Sequence, residues 1–204
     1  MQLRFIFLAI IASGLTSCIN LKPKPDNTKT FALGLSNLAE QPAGSDFNSI
    51  KGYIARPEFP VYMKGNEFKL LAEDGEILRL PNAYWAEPID MGVARALGSY
   101  IETHNGSFRN DFYPWVRTDG TTFTLQVKFH QLIATDDGRI LVSANWEYSY
   151  GADKTQTGFF ENDMIEWSPG DPRSMVTGIN KGLELLASEI VVALKKEALS
   201  AKGY

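Results

Sequence analysis

The chain predicts an α+β fold: an antiparallel or mixed sheet with two main amphipathic helices packed on it. Three observations carry this expectation. Residues 123–165 alternate apolar and polar side chains, residues 88–104 repeat apolar positions at helical spacing, and residues 171–199 do so again. Consecutive antiparallel strands with one apolar face need a cover, and two amphipathic helices supply it.

The strands follow from period two. Phe123, Leu125, Val127 and Phe129 alternate with Thr124, Gln126, Lys128 and His130. Thr135-Asp136-Asp137-Gly138 turns the chain, and Ile140, Val142, Ala144, Trp146 and Tyr148 carry the next apolar phase. Gly151-Ala152-Asp153-Lys154 turns it again, and residues 155–165 return. Upstream, Lys69-Leu70-Leu71 and Ile77-Leu78-Arg79-Leu80 flank an Asp74-Gly75 turn and read as a hairpin. Shorter strand candidates lie at 31–35 and 50–54, separated by a loop at 37–48. Pro57 and Pro60 then exclude residues 56–60 from a central strand.

The helices follow from spacings of three and four. Ile89, Val93, Leu97, Tyr100 and Ile101 share one face, with Pro88 suited to the first turn, Asp90 to the positive end of the dipole, and Asn105-Gly106 to the stop. In the last helix Asp171 is the N-cap and Pro172 the first-turn residue, and Val176, Ile179, Leu183, Leu186, Ile190 and Leu194 form the apolar stripe. Gly178 and Gly182, one turn apart, predict a close approach of this helix to the sheet.

The amino terminus has a different character. Arg4 precedes an unbroken apolar run, Phe5-Ile6-Phe7-Leu8-Ala9-Ile10-Ile11-Ala12, which is too short to span a bilayer as a stable helix and reads as an export signal over residues 1–17. Leu15-Thr16-Ser17-Cys18 resembles the bacterial lipobox, in which the cysteine receives a thioether lipid and becomes the first residue of the mature chain. Cys18 is the only cysteine of the 204 residues, so no internal disulfide competes for it. Ile19 is not the Asp that retains enteric-type lipoproteins in the inner membrane, so the outer membrane is the expected destination. Residues 18–29, with Pro23 and Pro25, read as a lipidated tether, and residues 30–204 as one α+β domain.

Charge and chemistry narrow the function. Arg4 is the only charged side chain of residues 1–17, so the mature chain keeps 19 of the 20 Lys+Arg against all 24 Asp+Glu, a formal charge of −5. That gives no electrostatic case for nucleic acid. His104 and His130 are the only histidines, and no zinc signature, nucleophile elbow or phosphate loop accompanies them. Glu161 and Asp163 read as a solvated strand face and Asp136-Asp137-Gly138 as a turn. No catalytic residue, metal or cofactor is expected. Tyr84-Trp85-Ala86-Glu87-Pro88 has two readings, an aromatic anchor at the helix entrance or a recognition surface.

Arg56-Pro57-Glu58-Phe59-Pro60, an extended segment, and Tyr84-Trp85-Ala86-Glu87-Pro88 leading into the helix at 89–101 together resemble the ABC-type transport auxiliary lipoprotein family, which includes the paraquat-inducible protein C-like lipoproteins. Ala144-Asn145-Trp146 fits that family's Ala-x-Trp element, and the helix at 176–194 its final amphipathic helix. The family's strand commonly carries Leu or a basic residue after the proline, whereas Pro60 here leads into Val61-Tyr62-Met63-Lys64. The resemblance implies an outer-membrane, non-catalytic partner of a lipid transporter, docked on a periplasm-spanning protein of the mammalian-cell-entry type and supporting envelope integrity. Arg56, Phe59, Tyr62, Tyr84 and Glu87 are the candidate partner-binding residues, and a homo-oligomer is compatible with this role. An activator of a cell-wall synthase and an envelope hydrolase are the alternatives.

Overall fold

The structure is a computed structural model. It describes residues 26–35, 50–105, 108–150 and 154–200, with side chains described through 196. The signal segment 1–17, Cys18 and the tether up to residue 25 lie outside these residues, as do the predicted loop at 37–48, Gly106, and residues 151–153 of the last predicted turn.

Eight strands and two helices follow in the order β1 (Lys29–Phe31), β2 (Ile50–Ile54), β3 (Glu67–Leu71), β4 (Ile77–Trp85), α1 (Ile89–His104), β5 (Phe108–Phe112), β6 (Phe123–Thr135), β7 (Arg139–Tyr150), β8 (Lys154–Glu166) and α2 (Pro172–Ser200). The sheet is mixed. β6, β7 and β8 form the expected antiparallel meander, with Val127 opposite Trp146 and Trp146 opposite Gly158. β7 occupies one edge of β6 along its length. The other edge therefore carries both remaining branches. β2 pairs in parallel with residues 123–125 and β3 in parallel with 134–135. β5 continues the first branch beside β2, and β4 and β1 continue the second beside β3.

The local chemistry explains the elements. In β6 and β7 the apolar phase is buried throughout, from Phe123 to Phe129 and from Ile140 to Tyr148. A bulge between Phe129 and Gln131 shifts the register and brings Leu132 into the core. α1 begins one residue after Pro88, which is its N-cap. At α2, Asp171 Oδ1 accepts the backbone N–H of Arg173 at 3.0 Å, as a cap should. Both helices lie on one face of the sheet: α2 packs on β6, β7 and β8, α1 on β2 and β5, and the helices pack on each other. A Cβ on Gly178 would sit 2.8 Å from Ile140, and one on Gly182 2.6 Å from Val142. These two glycines are what let α2 settle directly onto β7.

Two expectations change. The first strand is Lys29–Phe31 rather than 31–35. The chain turns at Gly34, which has φ +68, and a Cβ there would meet the Ala96 backbone at 2.8 Å. Its N–H donates to Asn180 Oδ1 at 3.0 Å, which holds the chain on the helices instead of in the ladder. Strand β5, with sequence Phe-Arg-Asn-Asp-Phe, has no alternation to announce it and exists through its parallel pairing with β2.

Among the described residues most buried apolar side chains form one cluster that includes Trp85, Val93, Leu97, Phe129, Trp146 and Leu186. Phe31, Phe68 and Trp85 pack in a row with their rings tilted by 43° and 37°, centroids 5.4 and 4.1 Å apart. Trp146 lies over Gly158 and donates Nε1–H to Glu189 Oε1 at 3.0 Å. A Cβ on Gly158 would fall 2.2 Å from the indole.

Trp146→Ala should therefore cost about 3–5 kcal/mol, read from the denaturation midpoint. Gly158→Ala should destabilise the wild type but not the Trp146→Ala background, and additive losses in that double-mutant cycle would refute the packing. A second expectation concerns Glu102, whose Oε1 accepts the Asn110 N–H at 2.6 Å and joins α1 to β5. Burial pushes its carboxyl above the ordinary value of 4.5. A folded-state value raised in this way contributes stability below the unfolded value and loses it as pH rises. Glu102→Gln keeps an acceptor without the charge. Denaturation at pH 7 should show it more stable than the wild type, with the gap closing below pH 4.5.

Candidate functional site

The site starts from a break in a strand. β2 and β3 both run along one edge of β6, and the residues between them span the gap. Ala55 N–H donates to Leu125 O at 2.8 Å, Glu58 N–H to Val127 O at 3.0 Å, and Phe129 N–H to Glu58 O at 2.9 Å. Pro57 and Pro60 cannot donate, so the ladder is intermittent and the segment stands as a strap across the sheet edge. A short 3₁₀ turn, Val61–Met63, then carries the chain toward β3.

Two grooves meet at this strap. One, of about 580 Å³, joins it to the start of α1 and is lined by Arg56, Phe59, Asn66, Pro88 and Asp90 among others. The second, of about 860 Å³, lies on the outer face of the sheet, away from the helices. It is lined by Arg56, Glu58, Gln126, Lys128, Glu147, Thr157 and Phe159 among others. Arg56 and Glu58 belong to both, so the strap is their shared wall.

The five sequence candidates fall into different environments. Arg56 is exposed, donates Nε–H to Asp90 Oδ2 at 2.7 Å and lies 5.2 Å from the centroid of the Tyr113 ring. The Asp90 hydrogen bond and charge push its already high pKa further up. Phe59 is partly buried and stacks on Phe129, 4.9 Å away with the rings parallel to 2°. Tyr62 is 40% exposed, donates its hydroxyl to His130 O at 3.3 Å and has its phenol pKa raised by burial. Tyr84 is 37% exposed on β4, opposite Glu67 of β3.

Glu87 is already engaged. Arg95 grips its carboxylate with both terminal nitrogens, Nη1 at 2.8 Å, while Nη2 also donates to Leu33 O at 2.8 Å. This half-buried pair fastens the segment leading out of β1 to α1. The structure thus brings Arg56, Phe59 and Pro88 to one groove, with Val61 and Tyr62 following on the same strap. Tyr84 lies outside that groove, and Glu87 serves an internal pair.

In the sequence Glu161 and Asp163 read as a solvated strand face, and that reading does not identify the outer groove. Its one signal was Phe159, an aromatic residue in an exposed phase beside His130, with ring centroids 6.4 Å apart. Among the described residues no group of three or more His, Cys, Asp or Glu is placed to hold a metal ion. Also among them, no helix is long and apolar enough to cross a membrane.

The fold has solved relatives. One is the crystal structure of an uncharacterised protein, with TM-score 0.66 and 17% identity, covering 82% of this chain and 99% of that one. Another is protein XCC0632 from Xanthomonas campestris, of the DUF330 family, with TM-score 0.57 and 13% identity, covering 76% and 89%. A PelC dodecamer from Paraburkholderia phytofirmans aligns with a TM-score of only 0.37 at 11% identity, covering 69% and 88%, too distant to bear on assembly here. No curated protein matches. The family model described as ABC-type transport auxiliary lipoprotein component matches residues 34–191, most of the chain and nearly all of the described fold, and the protein belongs to that family.

Proposed function

We propose that this protein is an outer-membrane lipoprotein, anchored through Cys18 and facing the periplasm, that serves without catalysis as the outer-membrane partner of a lipid-carrying ABC transport system. Its partner in this reading is a periplasm-spanning protein of the mammalian-cell-entry type, and its role is to hold that shaft at the membrane and support envelope integrity. One observation carries the docking part. The 56–60 strap is hydrogen-bonded to β6 and limited by two prolines, and it presents Val61 and Tyr62 on its exposed continuation beside a groove. A preorganised edge of this kind loses little conformational entropy on binding. A few exposed anchors of this size suffice to hold most of an interface's energy.

The anchor is tested by mass. Cys18→Ser should abolish the thioether lipid and normal cleavage. An unmodified Cys18, or a mature chain starting elsewhere, would refute it. Docking is tested by co-purification from detergent extracts. Val61→Asp and Tyr62→Ala should each weaken capture of the shaft protein by about tenfold or more, the effect of a single interface anchor, with folding and lipidation unchanged. Tyr84→Ala probes the far side of the hairpin. Glu87→Gln is a probe of stability instead, because it strands Arg95. Wild-type protein that captures a cell-wall synthase and no transporter component would establish the rival role.

A further inference from the structure

The loop joining β5 to β6 carries a feature that docking through the strap does not use. Trp115 and Val116 are 68% and 83% exposed at consecutive positions, and residues 114–120 are exposed throughout. The other three tryptophans, Trp85, Trp146 and Trp167, are 4–6% exposed. Leaving a tryptophan and a valine side by side in water is unfavourable unless something covers them.

This tip is held in shape. Trp115 N–H donates to Phe112 O at 3.0 Å, and the Tyr53 hydroxyl donates to Trp115 O at 3.2 Å. Past the tip, Thr118 Oγ1 donates to Asp111 Oδ2 and Thr121 Oγ1 to Thr118 O, each at 2.6 Å. The apolar pair is therefore presented by a braced loop, with the exposed Arg117 immediately after it.

The strand order places the tip on the same side of the sheet as the chain entry. β7 fills one edge of β6, so the branches ending in β5 and in β1 both leave from the opposite edge. Trp115 follows β5, and the chain enters the fold at Lys29 on β1. Both belong to the side of the molecule away from β8. The segment from Cys18 to β1 spans at most about 40 Å when fully extended. A chain of this size folds to a body about 40 Å across. The tether is thus no longer than the fold is wide. It keeps the entry side near the bilayer at a high effective concentration, so a contact too weak to bind alone becomes populated.

We propose that Trp115 and Val116 form a wedge that enters the headgroup layer of the bilayer carrying the anchor, with the Arg117 guanidinium on lipid phosphate. The residue types fit this partner. Tryptophan settles at the membrane–water interface, valine passes into the acyl boundary, and arginine donates in pairs to phosphate oxygens. The wedge rests on the Cys18 anchor of the proposed function and is independent of which protein the strap binds. It fixes one side of the domain against the membrane and leaves β8 and the outer groove toward the periplasm.

The test uses the full mature chain reconstituted into phosphatidylcholine–phosphatidylglycerol vesicles, with and without brominated acyl chains, after mass measurement of the same sample. Trp115 emission should shift to the blue and be quenched by the brominated lipid. Trp115→Phe should lose that response while keeping the emission of the three buried indoles. Val116→Asp should reduce it. A lipidated chain whose emission ignores the brominated lipid, or whose Trp115→Phe variant is quenched equally, overturns the wedge and points to a protein surface as the occupant. An unlipidated mass overturns the anchor on which the wedge depends.

Discussion

Strand β6 spans Phe123–Thr135, and its two edges are used in different ways. One edge is paired along its length with β7, in the ordinary manner of a long hairpin. The other is shared in three parts, by β2 at one end, β3 at the other, and the proline-limited strap between them. The helices, the grooves and both outer branches take their positions from this division. The apolar phase of the meander requires α2, and the glycines at 178 and 182 let α2 come close enough to bury it. α1 then closes the remaining side over β2 and β5.

Side-chain contacts hold the chain close to where it enters the fold. Arg95 bridges the Glu87 carboxylate and Leu33 O, and Asn180 accepts the Gly34 N–H. Residues just after β1 are thereby tied to both helices. In a protein belonging to a lipoprotein family, a pull from a membrane anchor meets the β1–β4 pairing first and these contacts directly behind it. A half-buried, bidentate guanidinium–carboxylate pair resists such a pull better than one exposed contact, because breaking it leaves a desolvated charge.

The arrangement suits a component that positions others. The two grooves are walled by a fixed strap and lined by side chains of both charges, Arg56 and Lys128 beside Glu58 and Glu147. An open, mixed-charge surface on a rigid edge matches recognition of another surface more naturally than the enclosure of a small substrate. The strap and the β5–β6 tip are neighbours on this scaffold: Arg56 lies 5.2 Å from the Tyr113 ring centroid, two residues before Trp115.

The sequence by itself determined the periodic parts. The alternation from Phe123 to Tyr148, the helical stripes, the Asp171 cap and the Asp74-Gly75 turn are local signals, legible because each residue's neighbours in the chain are also its neighbours in the element. The family was legible from short segments for the same reason. Tertiary structure decided whatever depends on distant partners. β5 exists because β2 offers it a parallel edge, the first strand stops early because Ala96 and Asn180 claim Gly34, and Glu87 is paired because Arg95 reaches it from two turns along α1. The outer groove and the exposed Trp115 were hidden for a related reason. Polar strand positions and a loop tryptophan acquire meaning only when the fold shows which of them face solvent together, since exposure is set by long-range packing and not by spacing along the chain.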